Sequence, residues 1–211
     1  TFVVSFKGHP RDHTAGTHDA RMRQWFADAP RDRDIYWIYF HEPENDIAGG
    51  AYTAAEYRAA FRHLKALADT AGNPRLHPTL VLMQWTVEPA SGRNWRDYYP
   101  GDGVVDVFAW DVYNFDSSAA QGRYVPPATL LDAALAVNAG LGLPTGIAEM
   151  GSHIAAGDDG TRRAAWIQAM NDYLRAHGSL WNLWFDLDWS NGDYRLRDPA
   201  ALAAWQQFCD S

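Results

Sequence analysis

Glutamate is scarce in this chain: five occur against 21 aspartates in 211 residues. Cysteine is scarcer. Cys209 stands alone, which excludes an internal disulfide and leaves the compartment open. The 18 basic residues form no run, and 26 acidic residues bring the net charge to −8. Neither a nucleic acid nor an anionic membrane surface is therefore an expected partner. No apolar stretch approaches the ~20 residues of a membrane span. No strand is followed by G-x-G-x-x-G, since the segment after the first strand reads GHPRDHTAG, and no cofactor is expected. His9, His13 and His18 fit no zinc spacing, so no metal site is expected there either. No linker or low-complexity stretch interrupts the chain, and residues 1–211 read as a single domain. No leader peptide stands at the start, where a cleaved one would leave no trace.

What the chain does have is apolar and aromatic residues. Hydrophobic types make up 47%, with ten Trp and ten Tyr, enough for a sizeable core. Aromatic rings fill cores, and they also line sugar clefts, because pyranose faces pack on flat rings. Apolar runs alternate with amphipathic ones. Strands are predicted at 2–6, 35–40, 80–85, 104–110, 145–148 and 180–185. Ile35 to Phe40 (IYWIYF) is apolar throughout, as a strand buried on both faces requires. Helices are predicted at 18–27, from Thr53 through Leu67, and at 130–137, 162–176 and 199–208. Thr53 and Glu56 form a capping box, and Tyr57, Phe61, Leu64 and Leu67 recur at helical spacing. Gly178 closes the fourth helix and Pro199 opens the last. The stretch after Trp85 is long and irregular. Repeated βα units imply a parallel sheet with outer helices, either a (β/α)8 barrel or a doubly wound sheet.

In a parallel barrel, chemistry gathers at the C-terminal strand ends. Lys7 follows the first predicted strand. His41, Glu42 and Glu44 follow the second, and Thr86 and Glu88 the third. Asp111, Tyr113 and Asn114 follow the fourth, Glu149 the fifth, and Asp186, Asp188 and Trp189 the sixth. Glu56 is explained by its cap, and the other four glutamates all fall at strand ends. Two carboxyls facing each other divide one proton between them. A retaining glycosidase uses one as nucleophile and the other as proton donor, roughly 5 to 5.5 Å apart. Glu42 and Glu149 are the candidate pair, and Glu44 and Glu88 read as supporting or solvated carboxylates. Trp85 and Trp184 serve either as sugar platforms or as core. Lys7 either reaches substrate or is a solvated loop lysine, and Asp111 either orients its neighbours or binds sugar.

FHEPEN (40–45), DVYN (111–114) and IAEMG (147–151) resemble motifs of the clan A glycoside hydrolases. His41 stands where most of that clan carries Asn, as in the family 26 β-mannanases. YYPGDGVVDVFAWDVYN (98–114) and SFKG with AGTHDA are similar to that family's sixth- and third-strand regions. The resemblance implies a (β/α)8 barrel with Glu42 as acid/base after strand four and Glu149 as nucleophile after strand seven. Tyr113 would hydrogen-bond the nucleophile, and His41 would contact the sugar. It further implies a secreted enzyme acting on a poly- or oligosaccharide, β-1,4-mannan first. HEPEN in place of the usual HEMN keeps glucan and xylan as alternatives. A non-catalytic carbohydrate-binding barrel and a metal-dependent hydrolase are the competing classes. Only one predicted strand precedes HEPEN, so the chain is expected to carry six βα units, strands three to eight of an incomplete barrel.

Overall fold

A computed structural model of the chain describes residues 1–115 and 122–210. They fall into two compact units, Thr1–Ala109 and Trp110–Ser211.

The first unit contains β1 (Phe2–Phe6), α1 (Pro10–Thr14), α2 (Asp19–Asp28), β2 (Ile35–Tyr39), α3 (Glu44–Ala48), α4 (Ala54–Thr70) and β3 (Leu76–Met83). The apolar run of β2 takes the central place, parallel to β1 on one side and β3 on the other. Its Trp37 is wholly buried. The indole stacks on Phe61 of α4 at 5.6 Å and meets the edge of Phe26 of α2 at 5.3 Å. Tyr39 stacks on Tyr57 of α4, also at 5.6 Å. The helical spacing seen in sequence is what lets Tyr57, Phe61, Leu64 and Leu67 all face inward. Each such side chain contributes about 1.5–3 kcal/mol of burial. The capping box is present in full. Thr53 Oγ1 accepts from the Glu56 amide at 3.2 Å, and Glu56 Oε2 accepts from the Thr53 amide at 2.8 Å.

β3 differs from its expected range at both ends. It starts at Leu76, because the polar His77 and the Pro78 ring hide a strand that pairs regularly with β2 through Trp37↔Pro78. It stops at Met83, and Gln84–Val87 turns into a 3-10 helix that carries Trp85. Two more short 3-10 turns, Pro89–Ser91 and Trp95–Asp97, make up the irregular stretch.

β4 (Val107–Asn114) spans the division between the units. The second unit continues with α5 (Pro127–Leu141), β5 (Thr145–Ser152), α6 (Thr161–Ala176), β6 (Asn182–Trp184), a small hairpin of β7 (Asp188–Trp189) and β8 (Gly192–Asp193), and α7 (Pro199–Cys209). The hairpin has no counterpart among the predicted strands, and two-residue strands leave no periodic signal. Arg163 of α6 is fully buried. It pairs with Asp198 at 3.0 Å and donates to the carbonyls of Tyr194 and Arg195, which fastens the segment leading into α7.

The strands are hydrogen-bonded in the order β1-β2-β3-β4-β5-β6. Chain order equal to sheet order, with helices between most neighbours, is the topology of six successive βα units of an incomplete (β/α)8 barrel. Among the described residues no helix is long and apolar enough to cross a membrane.

Candidate active site

The eight candidate residues divide evenly between the units. Lys7, His41, Glu42 and Trp85 belong to the first, and Asp111, Tyr113, Glu149 and Trp184 to the second.

In the first unit, β2 hands over to a tight turn. Phe40 and Glu42 both adopt the left-handed conformation, with φ of 49° and 51°, and they are the only non-glycine residues with positive φ among those described. Such backbone costs on the order of 1–3 kcal/mol per residue and persists only where its surroundings fix it. Here the surroundings do. Phe40 is buried and packs edge-on against Tyr52 at 5.1 Å. Its amide donates to Phe6 O at 2.8 Å, and the Glu42 amide donates to Val81 O at 3.2 Å. Glu42 is half-buried. His41, between the two, lies with Nδ1 2.9 Å from Ser5 Oγ. Burial pushes its pKa down to about 4, and the Lys7 ammonium adds to the effect. His41 is therefore a neutral ring at working pH, able to hydrogen-bond a hydroxyl without bringing a charge. Lys7 is exposed, with Nζ 4.8 Å from the centre of the Phe40 ring. It also lines a cavity of about 290 Å³ together with Phe6, His13, His18 and Trp25.

Glu44, read from the sequence as a supporting or solvated carboxylate, is fully buried. Oε1 accepts from the Met83 amide at 2.8 Å and from Thr86 Oγ1 at 2.7 Å. Burial raises its pKa against those hydrogen bonds. Glu88 accepts from Gln84 Nε2 at 2.6 Å. Trp85 is 47% exposed on the 3-10 turn, consistent with a platform and not with a core residue.

In the second unit, Asp111, Tyr113 and Asn114 lie within β4, not after it, and Glu149 lies within β5. Polar side chains end the apolar run in sequence while the backbone continues to pair. Tyr113 and Glu149 are brought together, the phenol donating to Glu149 Oε2. The approach depends on Gly151. A Cβ there would sit 2.8 Å from Tyr194 and 3.1 Å from the Tyr113 ring. Tyr113 also stacks on Phe115 at 5.6 Å and meets Phe185 and Tyr194 edge-on. Asp111 is buried.

Trp184 is half-buried. Its ring lies against Trp166, Trp205 and the Arg163 guanidinium, and its N–H donates to Tyr194 O at 2.9 Å. Its strand is so short that sequence gave no means of telling which face it occupies. The exposed rings of this unit are instead Phe115 and Trp189, at 54% and 58%. Trp189 was named from sequence only as one of the residues after the sixth strand, and Phe115 was not named. Phe115 directly follows the DVYN motif, and Trp189 sits in the unforeseen hairpin.

No protein-family model matches the chain, and neither does any curated protein. Solved structures do. One is a GH26 β-mannanase from Bacteroides ovatus, 16% identical over 99% of this chain and 68% of that one, with a TM-score of 0.62. A GH5 xyloglucan-specific endo-β-1,4-glucanase from a metagenomic library is 13% identical over 99% and 71%, at 0.65. A GH128 endo-β-1,3-glucanase from Amycolatopsis mediterranei is 19% identical over 97% and 81%, at 0.57. The likeness shows the fold. The chain has the fold of clan A glycoside hydrolases, those of family 26 among them, and spans about two thirds of the first two mannanases.

Proposed function

We propose that this chain carries the catalytic domain of a retaining glycoside hydrolase acting on β-linked polysaccharide, with β-1,4-mannan ahead of glucan and xylan. The observation that carries the reading is the Tyr113 phenol donating to the Glu149 carboxylate, from one parallel strand to the next. A donor held on the lone pairs of a carboxylate keeps it ionised and aimed, which is what a nucleophile needs. Glu149 attacks the anomeric carbon and Glu42 protonates the departing glycosidic oxygen. Glu42 then takes a proton from the water that releases the sugar. This requires their carboxyl oxygens to lie about 5 to 5.5 Å apart across the cleavage site. Neutral His41 and Asp111 hydrogen-bond sugar hydroxyls, Lys7 reaches along the same rim, and Trp85 offers a stacking face. The reaction takes place outside the cell, where such polymers are met.

The test is a panel of mannan, mixed-linkage glucan and xylan, assayed with the parent and with Glu149→Gln and Glu42→Gln. Turnover of one polymer with the β-anomer formed first, and at least a 1,000-fold loss of kcat in Glu149→Gln, is the expected result. Binding without turnover, unchanged by Glu149→Gln, would mean a carbohydrate-binding barrel. An inverted anomer would remove the nucleophile role.

A further inference from the structure

The turn bearing Glu42 leaves β2 in two left-handed steps, at Phe40 and at Glu42 itself. Backbone pairing to β3 reaches as far as the Glu42 amide on Val81 O at 3.2 Å. The next β3 donor in the ladder is the Met83 amide, two residues on. The main chain is no longer there to receive it, because Pro43 has opened α3. The Glu44 carboxylate takes that place. Oε1 accepts from Met83 N at 2.8 Å and from Thr86 Oγ1 at 2.7 Å, while Oε2 has no hydrogen-bond partner among the described residues and the side chain is fully buried. Burying a carboxyl with half its acceptors unused is unfavourable, and a solvated residue would serve solubility better. The position therefore has another use. Strained backbone survives only where neighbouring contacts hold both its ends. Phe6 O and Val81 O hold the start of this turn, and the Glu44 clasp holds its exit.

We infer that Glu44 is a positioning residue, which continues the β2–β3 ladder with a side-chain oxygen and so fixes the direction in which Glu42 points. The inference rests on the reading of Glu42 as proton donor, but its structural half does not. A positioning role makes Glu44 matter as an acceptor and not as a charge. Glutamine keeps the acceptor and the shape, while alanine removes both.

The experiment compares Glu44→Gln, Glu44→Ala and Thr86→Val by thermal melting, by steady-state kinetics on the polymer the parent cleaves, and by amide hydrogen exchange at Glu42. Glu44→Ala is expected to lose 30-fold or more in kcat with KM within threefold, and Thr86→Val about three- to tenfold. Glu44→Gln should stay within threefold of the parent. Exchange at the Glu42 amide should rise at least tenfold in Glu44→Ala and stay at the parental rate in Glu44→Gln. Should Glu44→Ala fail to fold, Thr86→Val and Glu44→Gln carry the comparison. A parental kcat in Glu44→Ala, or equal losses in Ala and Gln, overturns the inference. So does a folded Glu44→Ala whose Glu42 amide exchanges at the parental rate. A parent that cleaves no polymer defeats the hydrolase reading alone, and the exchange measurement then decides the positioning role.

Discussion

At the scale of single residues, the candidate site turns on who donates to whom. Tyr113 donates to the Glu149 carboxyl. Removing the phenol takes away a contact that favours ionisation, so the carboxyl pKa must rise. Tyr113→Phe is expected to lower kcat 10- to 100-fold, about 1.4–2.7 kcal/mol, and to move the acid limb of the kcat/KM profile to higher pH. An unmoved limb would mean that the contact is idle. The Tyr113–Glu149 contact was legible because motifs of distinctive composition carry both residues. The packing of Trp184 was not, since a lone tryptophan near a strand end gives no clue to which face it occupies. Glu44 was left between a supporting and a solvated role for a related reason. Whether a carboxylate is buried depends on what β3 does more than thirty residues away.

At the scale of elements, hydrophobic pattern identified β1, β2, α4, α6 and α7 well, the helices by one apolar face each and β2 by an apolar run without interruption. It failed where polar residues continue a strand, in DVYN and AEMGS, and where Pro78 interrupts one. α1, α3 and the β7–β8 hairpin are too short to generate a period. The best-specified element is α4, whose start is fixed by Thr53 and Glu56. Thr53→Ala is expected to cost about 1 kcal/mol, or a fall of about 2–4 °C in Tm for a chain of this size. The backbone amide of Thr53, then its hydrogen bond with Arg11, holds the Glu56 pKa down to about 2. The cap is thus at full strength above the usual pKa of 4.5 and is lost as pH falls toward 2.

At the scale of the whole molecule, acid sensitivity follows from a half-buried histidine. His41 titrates at about 4 in the folded chain and at 6.5 when unfolded. Between these values the unfolded state binds the extra proton, so stability rises with pH. Lowering the pH from 6.5 to 4 should therefore weaken the fold, and His41→Asn should flatten that part of the curve. Urea midpoints measured every half pH unit would reveal it, and identical slopes in parent and variant would refute it. The parallel sheet was readable from the alternation of apolar and amphipathic runs, but its sequential strand order was readable only from the motif resemblance, because the alternation alone also fits a doubly wound sheet. The distance between two carboxyls from opposite halves of the chain was not, since no local pattern encodes it.

The left-handed backbone at Glu42 has a consequence for how this sequence can change. A residue with a side chain is held there against its own preference, whereas glycine would adopt that φ without strain. Glu42→Gly should raise Tm by about 2–4 °C, the equivalent of about 1 kcal/mol, while abolishing turnover. A screen for thermal tolerance alone would then drive this position away from glutamate, and only selection on the reaction would hold it in place.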